Sequence, residues 1–528
     1  MALCVAAAVA VAGCAAGGPR TGARPASPTP AASVSGEDAK AVALAYLDAL
    51  GARRYGDLAA LTDEPVSDVA GAYRRQDERL QVDGVEIQAG TWDPVGMSMP
   101  YQEVLHLRGL GPLPLQGSLT LTAVPSHGFR VAFRAATVFP GLLSGQRVDR
   151  VQVQARGALL DRHGTPLRGR TRDLDTNVLG QVTNGRAVSG LERALEPGLL
   201  GGTATAVEVV NPTTGELLRE IARFGQAAPG RDVTTTLDLR VQQAATAALA
   251  TAPGVAALVA VDATTGGVLA VANQPAIGFP PALAGSYAPG STFKVVTTLA
   301  ALQAGLTPDS TVTCPASLTA GGKRFHNQEP GNGGSMSLLQ AFAQSCNTAF
   351  IGVAQSLPKG SITQAAALLG FNAPPPLPLR SIGGRLPPPV DTAEAAADAI
   401  GQGRVEASPL GMASVAAAVA GGVWRQPRLS DCPACQEHPL PAGPVAALRT
   451  MMRAAVTSGT ATALRAVRGR EVFAKTGTAE FGSASPPATH AWMIGFQDQV
   501  AFAVYVEAGT SGGTTAGPVA ARFLDALA

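Results

Sequence analysis

Three short motifs follow one another in the second half of this 528-residue chain, and they constrain it more than any other feature. The sequence reads STFK at 291–294, SCN at 345–347 and KTGT at 475–478. Together the motifs supply a hydroxyl nucleophile, an amine close enough to take its proton, a bridging hydroxyl and amide, and a cation beside a glycine. Brought into one cleft, these groups are the ones that acyl transfer through a serine ester requires.

The scarcity of lysine makes the two lysines of these motifs stand out. The chain has 40 Lys and Arg residues, and its lysines stand only at positions 40, 294, 323, 359 and 475. Arginine is therefore the usual cation of this chain. Because a guanidinium cannot act as a base near neutral pH and an amine can, lysine at 294 and 475 is consistent with proton transfer.

The nucleophile and its base are predicted to share one face of a helix. Pro289 and Gly290 precede Ser291 and an apolar run follows it, so Ser291 is predicted to open a helix, near the positive end of its dipole. Lys294 is three residues further on and faces the same side. An ammonium cannot be a base, so burial or a neighbouring cation must lower the pKa of Lys294, and Lys475 is the candidate neighbour.

The set S-x-x-K, S-x-N and K-T-G resembles that of penicillin-binding proteins and class A β-lactamases, and the chain looks like a penicillin-binding protein. The resemblance implies that Ser345 passes a proton between the nucleophile, the lysine and the leaving amine. It implies that Asn347 binds the lysine and the amide of the substrate. Ser345 and Asn347 follow an apolar helical stretch within a predicted helical subdomain.

The KTGT motif is predicted to be an edge strand that lines the cleft, where Gly477 would let the backbone approach a ligand closely. By resemblance, Lys475 and Thr478 hold the terminal carboxylate of the donor peptide. The amides of Ser291 and Thr478 would form the oxyanion hole. The predicted catalytic residues are thus Ser291, Lys294, Ser345, Asn347 and Lys475, and the predicted substrate-binding residues are Thr476, Gly477 and Thr478.

The activity that the resemblance implies is D-alanyl-D-alanine transpeptidation, with peptidoglycan stem peptides as substrates, β-lactam antibiotics bound covalently at Ser291, and no cofactor or metal. A β-lactamase would need a base that delivers water to the ester, commonly a glutamate in an E-x-x-x-N pattern. No glutamate between the second and third motifs begins that pattern. A D,D-carboxypeptidase and a non-enzymatic scaffold that kept the fold also compete with the transpeptidase interpretation.

The N-terminus indicates export from the cytoplasm. Its apolar stretch of about 16 residues is short for a membrane span of roughly 20 and predicts a signal peptide over 1–17. VAGC at 11–14 resembles a bacterial lipobox in which Cys14 would be lipidated, and a short signal anchor is the competing interpretation. Residues 18–36, rich in Pro, Ala, Ser and Gly, predict a flexible linker. An N-terminal lipid or anchor would then hold the protein on the outer face of the cell membrane.

Three domains are predicted beyond the linker, which makes the chain a multidomain α+β protein. Residues 37–140 show helices followed by antiparallel strands and resemble the small nuclear transport factor 2-like N-terminal domain of methicillin-resistance-type transpeptidases. Residues 141–232 contain ARGALLDRHGTPL and SGLE and resemble the elongated dimerisation or pedestal domain of class B penicillin-binding proteins. Residues 233–528 resemble the transpeptidase domain, an antiparallel sheet with a helical subdomain of the serine β-lactamase type. Within it, residues 256–272 read as two core strands around a Thr-Gly-Gly turn and match the first central hairpin of the family.

This arrangement leaves no glycosyltransferase module before the catalytic domain, because two small non-catalytic domains occupy that region. A monofunctional class B enzyme is therefore expected, with a separate glycosyltransferase as a further partner. The net charge of +2, with both signs mixed along the chain, argues against a nucleic-acid surface. His490, after the KTGT motif, is not expected to be a base, because Lys294 fills that role.

The cysteines leave two pairings open. Outside the cytoplasm Cys314 could pair with Cys346, which is otherwise expected to be buried packing beside Ser345. Cys432 and Cys435, in the sequence CPAC, are expected to be either a local disulfide or two free thiols. No second CxxC and no histidine pair at ligand spacing accompany them, so a zinc site is not expected.

Overall fold

The computed structural model describes residues 36–63, 66–183, 185–328, 334–483 and 486–528. The predicted signal peptide over 1–17, with Cys14, and almost all of the predicted linker over 18–36 lie outside these residues. Gly36, assigned to the linker, is the first residue of a helix. Within the described ranges, no helix is both long enough and apolar enough to cross a membrane.

The chain forms two compact units. The first comprises the residues up to Val151 together with Ala206–Phe224, and the second comprises Gln152–Thr205 and Gly225–Ala528. The limits of these units differ from the predicted boundaries at 140 and 232. The division into three domains therefore stays a prediction.

The first unit has helices followed by an antiparallel sheet, as the sequence predicts. Its helices are α1 (Gly36–Gly51), α2 (Tyr55–Leu58), α3 (Val66–Leu80) and α4 (Ala135–Val138). Its four strands pair in chain order and are β1 (Val82–Ala89), β2 (Ser98–Leu107), β3 (Gly111–Val124) and β4 (Gly128–Val131). Helix α3, in which polar residues outnumber apolar ones, was not predicted from the sequence. The likeness to a nuclear transport factor 2-like domain stays a prediction.

An acidic side chain is buried in the core of the first unit. Inward-facing residues alternate along β2, and Glu103 lies between Tyr101 and Leu105, which belong to two different apolar clusters. Only 2% of Glu103 is exposed. Burial first, and the charge of Asp77 second, raise the pKa of Glu103 to about 8. This carboxyl group is therefore neutral in the folded protein over most of the physiological pH range.

Short elements occupy residues 147–234. They are β5 (Arg147–Arg156), β6 (Leu159–Leu160), β7 (Val182–Thr183), β8 (Arg186–Ala187), α5 (Gly190–Ala194), α6 (Glu196–Leu199), β9 (Leu200–Val210), β10 (Leu217–Phe224) and β11 (Val233–Thr234). Three of these strands form a sheet in the order β10-β9-β5, and β11 pairs in parallel with β6. Arg156, from the segment ARGALLDRHGTPL, pairs with Glu192, from SGLE, at an N–O distance of 2.5 Å. This ion pair joins the two segments within the second unit.

A five-stranded antiparallel sheet forms the centre of the second unit. The strands of this region are β12 (Ala256–Asp262), β13 (Val268–Gln274), β14 (Thr311–Thr313), β15 (Ser317–Ala320), β16 (Lys323–His326), β17 (Ser335–Ser337), β18 (Gly384–Arg385), β19 (Glu406–Ala407), β20 (Val423–Arg425), β21 (Glu437–Pro439), β22 (Val472–Phe481), β23 (Ala488–Gln497) and β24 (Val500–Val506). The central sheet has the order β13-β12-β24-β23-β22. The predicted hairpin over 256–272 and the predicted edge strand with KTGT are both confirmed.

Helices cover this sheet and form a second layer beside it. They are α7 (Leu239–Leu249), α8 (Pro281–Ala284), α9 (Lys294–Gln303), α10 (Leu338–Ala343), α11 (Asn347–Ser356), α12 (Ser361–Leu368), α13 (Thr392–Asp398), α14 (Pro409–Gly421), α15 (Ala442–Ser458) and α16 (Gly517–Leu527). Helix α14 packs against β12 and β24, and α7 packs against β13 and α16. Every residue of β12 is buried as a result. The predicted antiparallel sheet with helices is confirmed.

Both cysteine pairs form disulfides. Cys314 pairs with Cys346, and Cys432 pairs with Cys435. Cys314 and Cys346 are each 4% exposed, whereas the other pair lies partly exposed in the loop that joins β20 to β21. Of the two possibilities for Cys346, the structure has the disulfide with Cys314, and the residue is buried as expected but is not a free packing thiol.

Candidate active site

The nucleophile motif lies at the junction of two helical segments. Gly290–Phe293 forms a 3-10 turn, and Lys294 is the first residue of α9. Ser291 therefore precedes the α-helix and does not open it, although it still lies near the positive end of the helix dipole. The Oγ atom of Ser291 and the Nζ atom of Lys294 are 3.0 Å apart. The predicted pairing of nucleophile and amine thus exists in the folded chain.

Two glycines let the nucleophile turn pack closely against β22. Gly290 has a φ of +53°, and a Cβ atom there would lie 2.5 Å from the carbonyl oxygen of Thr478. A Cβ atom at Gly477 would lie 2.7 Å from the carbonyl oxygen of Pro289 and 2.8 Å from Thr292 Cγ2. The nucleophile turn therefore leaves no room for a side chain at position 477. This close approach brings the serine and the KTGT strand together.

The SCN motif lies between α10 and α11. Ser345 has a φ of +60°, in the left-handed region, and Asn347 is the first residue of α11. Lys294 Nζ contacts three oxygens of this motif: the Ser345 carbonyl at 2.7 Å, the Ser345 hydroxyl at 3.3 Å and Asn347 Oδ1 at 2.7 Å. The Nδ2 group of Asn347 donates to the carbonyl of His326 at 3.0 Å, which orients its Oδ1 atom toward the lysine.

The lysine of the KTGT motif reaches the same serine from the opposite side. Lys475 Nζ donates to the Ser345 hydroxyl at 2.9 Å and to the Thr476 carbonyl at 3.0 Å. Lys475 and Lys294 are both fully buried. Burial lowers the pKa of Lys475 to about 7. Burial first, and the charge of Lys475 second, hold the pKa of Lys294 well below its usual range. Both causes that the sequence suggests for a lowered pKa of Lys294, burial and a neighbouring cation, are present.

A count of donors and acceptors indicates how a neutral Lys294 would use its lone pair. A neutral amine has two N–H groups and one lone pair. The carbonyl oxygens of Ser345 and Asn347 can only accept, and each is 2.7 Å from Nζ, so they occupy both N–H groups. The lone pair is then left for a hydroxyl, and the Ser291 hydroxyl is nearer, at 3.0 Å, than that of Ser345, at 3.3 Å. Lys294 is thus arranged to accept a proton from Ser291.

A family model for the penicillin-binding protein transpeptidase domain matches residues 256–525, which include all three motifs. The chain belongs to the penicillin-binding protein transpeptidase family. The prediction of a transpeptidase of the class B type is thereby confirmed. The predicted lipoprotein nature and the methicillin-resistance-type N-terminal domain stay predictions.

Members of this family resemble the chain over most of its length. The peptidoglycan D,D-transpeptidase PbpA of Mycolicibacterium smegmatis is 33% identical over 408 residues, which cover 65% of this chain and 80% of that protein. The protein of the same name from Mycobacterium tuberculosis is 30% identical over 458 residues, covering 73% and 90%. A solved structure of penicillin-binding protein A from M. tuberculosis, a ceftriaxone acyl-enzyme complex, is 26% identical with a TM-score of 0.58, covering 71% of this chain and 98% of that one.

The predicted substrate-binding residues of the penicillin-binding transpeptidase unit have partners within the protein. The hydroxyls of Thr476 and Thr460 are 2.6 Å apart. The Thr478 hydroxyl accepts from the amide of Gly512 at 3.3 Å. Thr460 itself donates its amide to the carbonyl of Ala343 at the end of α10. The contact between Thr460 and Thr476 could not be read from the sequence, because it depends on the tertiary fold.

His490 lies outside this network in the contacts that the structure describes. Its Nδ1 atom is 2.8 Å from the carbonyl oxygen of Glu507, and its ring stacks on Phe481. Burial lowers the pKa of His490, which favours the neutral ring. This residue is placed to pack the ends of β22 and β23 together.

Proposed function

We propose that this chain is a peptidoglycan D,D-transpeptidase that joins stem peptides through an acyl ester on Ser291, and that β-lactams acylate the same serine. The observation that supports this most is the arrangement of Lys294, whose N–H groups face two carbonyl-type oxygens and whose lone pair faces Ser291. The names of the two PbpA relatives support the choice of peptidoglycan as substrate.

Acylation begins with the attack of Ser291 Oγ on the carbonyl carbon of the penultimate D-alanine of a donor stem peptide. Lys294 takes the hydroxyl proton as the new C–O bond forms. The negative charge on the carbonyl oxygen is then stabilised by the amides of Ser291 and Thr478, the proposed oxyanion hole. The close packing of Gly290 against Thr478 supports this pairing, because it brings the two backbone segments together.

Collapse of the tetrahedral intermediate breaks the C–N bond and releases D-alanine. The departing amine needs a proton, and the Ser345 hydroxyl supplies it while drawing a replacement from Lys294, which contacts that hydroxyl and becomes neutral again. An amine of a second stem peptide then attacks the ester. It loses a proton to the same base, and Ser291 regains its own proton as the cross-link forms.

Substrate recognition follows from charge. The donor peptide ends in a carboxylate, and Lys475 with Thr478 on the edge strand β22 is proposed to hold it. Thr476 and Gly477 are proposed to shape the same wall of the cleft. Asn347 is proposed to bind the peptide amide in addition to Lys294.

The setting of the enzyme is also proposed. The predicted signal peptide and Cys14 would hold it on the outer face of the cell membrane, where stem peptides are found. The predicted linker over 18–36 would lift the folded part of the chain off the membrane. A separate glycosyltransferase would supply the glycan strands that are cross-linked.

Labelling of the purified protein with a fluorescent penicillin tests this function. We expect a covalent adduct that persists after washing, is absent in Ser291→Ala and is retained in Ser361→Ala, a matched serine at the start of α12. A donor peptide ending in D-Ala-D-Ala should release D-alanine and become joined to an added acceptor amine.

The competing activities give different results in the same experiment. Release of the penicillin adduct within seconds would indicate a β-lactamase. Release of D-alanine without joining to the acceptor would indicate a D,D-carboxypeptidase. The absence of both an adduct and peptide turnover would indicate a scaffold without activity.

A further inference from the structure

Two buried aromatic rings lie against the two lysines of the active site. Lys294 Nζ lies over the ring of Phe350, 5.4 Å from its centroid, and Lys475 Nζ lies over the ring of Phe342, 5.6 Å from its centroid. Both phenylalanines are fully buried. These distances are within the range of about 6 Å in which a cation is attracted to the face of an aromatic ring.

The rings come from the two helices that flank the SCN motif. Phe342 is on α10 and Phe350 is on α11, with ring centroids 6.3 Å apart. Ser345, which contacts both lysines, lies in the turn between these helices. One helix-turn-helix segment therefore supplies the hydroxyl that joins the lysines and an aromatic face for each of them.

Among the described residues, no carboxylate balances the charge of the two lysines. Across the part of the chain that the structure describes, neither Lys294 nor Lys475 forms an ion pair, and the charge that acts on Lys294 is that of Lys475. Among the described contacts, the hydroxyls that face the two amines are those of Ser291 and Ser345, and the one titratable group that acts on Lys294 is Lys475. Their other polar contacts are neutral oxygens of Ser345, Asn347 and Thr476.

We propose that Phe342 and Phe350 are positioning residues for acyl transfer, with Phe342 holding the standing charge of Lys475 and Phe350 receiving the charge that appears on Lys294 when it takes the proton of Ser291. This role rests on the proposed function, because it concerns the same proton transfer. A buried ammonium without a counter-ion is costly, and the negative face of a ring offsets part of that cost. A group that favours charge on Lys294 acts where charge develops during the reaction, which lowers the barrier.

The two rings should control different limbs of the pH profile. Acylation needs a neutral Lys294 and a protonated Lys475. Its rate therefore rises with pH where Lys294 loses its proton, which gives the acidic limb. The rate falls again where Lys475 loses its proton, which gives the alkaline limb. Removing a ring makes the adjacent ammonium less favourable and lowers its pKa. Phe350→Leu is therefore expected to move the acidic limb to lower pH, and Phe342→Leu to move the alkaline limb to lower pH, each by about 0.5–1 pH unit. The maximal rate of Phe350→Leu should also fall, because a weaker base takes the proton less readily.

The experiment measures the second-order rate constant for acylation by a fluorescent penicillin as a function of pH. It uses the parent, Phe342→Leu, Phe350→Leu and the control Phe502→Leu. Phe502 is a fully buried phenylalanine of β24 that packs against Phe523, with ring centroids 6.1 Å apart. The control should lose stability and keep both limbs where the parent has them.

The outcomes separate the ring proposal from the proposed function. Shifts confined to one limb per ring support the proposal, whereas unmoved limbs in folded variants, or equal shifts in the control, overturn it. If a leucine variant melts too low to assay, trifluorophenylalanine is placed at the same position, because it keeps the ring and weakens its negative face. The proposal then requires the same limb of the pH profile to move to lower pH. A parent that forms no adduct contradicts the proposed function itself, and the ring proposal falls with it.

Discussion

The hydroxyl of Ser345 lies between two buried amines, 3.3 Å from Lys294 Nζ and 2.9 Å from Lys475 Nζ. The three groups come from α9, the turn before α11 and the edge strand β22, which are far apart in sequence. One oxygen therefore connects the lysine beside the nucleophile to the lysine of the strand. A proton can move along this connection without leaving the protein.

Replacement of this hydroxyl by Ser345→Ala should slow acylation by about 10²–10⁴-fold, because the leaving amine loses its proton donor and Lys475 loses an acceptor. The rate constant for acylation by a fluorescent penicillin measures the effect. Ser356→Ala, at the end of α11, is the control, since in the described contacts the hydroxyl of that serine donates to the carbonyl of Val353 alone. A rate for Ser345→Ala within a few-fold of the parent would remove Ser345 from the proton path.

Gly477→Ala should impair both stability and acylation. The new Cβ atom would lie 2.7 Å from the Pro289 carbonyl, so the nucleophile turn must move away from β22. We expect a loss of about 1–3 kcal/mol in the free energy of unfolding and at least a tenfold slower acylation. Gly443→Ala, in α15 where a Cβ atom meets nothing within 4 Å, should keep the acylation rate and should not lower the free energy of unfolding. Normal acylation by Gly477→Ala would show that the turn and strand can separate without consequence.

The buried acid of the first unit should make that unit less stable as pH rises. The pKa of Glu103 in the folded protein, about 8, lies above its ordinary value of 4.5. The protonated carboxyl therefore stabilises the folded state fully below pH 4.5, and this stabilisation is lost as the pH rises toward and through 8. We expect a loss on the order of 1–4 kcal/mol between these values, and a flatter profile for Glu103→Gln. Hydrogen exchange of β2, corrected for intrinsic rates, measures it. Glu78→Gln, on the exposed side of α3, is the control and should keep the pH dependence of stability that the parent protein has.

The two disulfides should respond differently to a reductant. Cys314 and Cys346 are 4% exposed, whereas Cys432 and Cys435 lie partly exposed in the β20–β21 loop, where a thiolate can reach a sulfur. Graded dithiothreitol followed by alkylation and mass spectrometry should label Cys432 and Cys435 first, with penicillin acylation unchanged at that stage. Earlier labelling of Cys346 would contradict the burial of its disulfide.

Local sequence patterns predicted many elements correctly. The apolar runs over 256–272 separated by a Thr-Gly-Gly turn are the hairpin β12–β13, and the alternating residues after 82 are the strands of the first unit. Patterns of this kind depend on neighbours along the chain, so the sequence contains them. Helix α3 was missed because its polar residues obscure its single buried face.

Contacts between distant segments were the part that the sequence could not supply. The Phe342 and Phe350 rings read as ordinary apolar residues, and nothing local distinguishes them from the other phenylalanines of the chain. The bond between Thr460 and Thr476 has the same character. The sequence allowed Cys314 to pair with Cys346 but left open whether that disulfide forms. Each depends on how loops bring separate helices and strands together.

The sequence by itself determined the family and pointed to a candidate nucleophile and a candidate base, because three motifs of fixed chemistry stand in a fixed order. It also determined that Lys294 needs a lowered pKa to act as a base. Only the tertiary structure decided how that is achieved. Burial of two lysines around one hydroxyl, without a carboxylate among their described contacts and with an aromatic ring against each, arises when α9, α10, α11 and β22 pack together and exclude water.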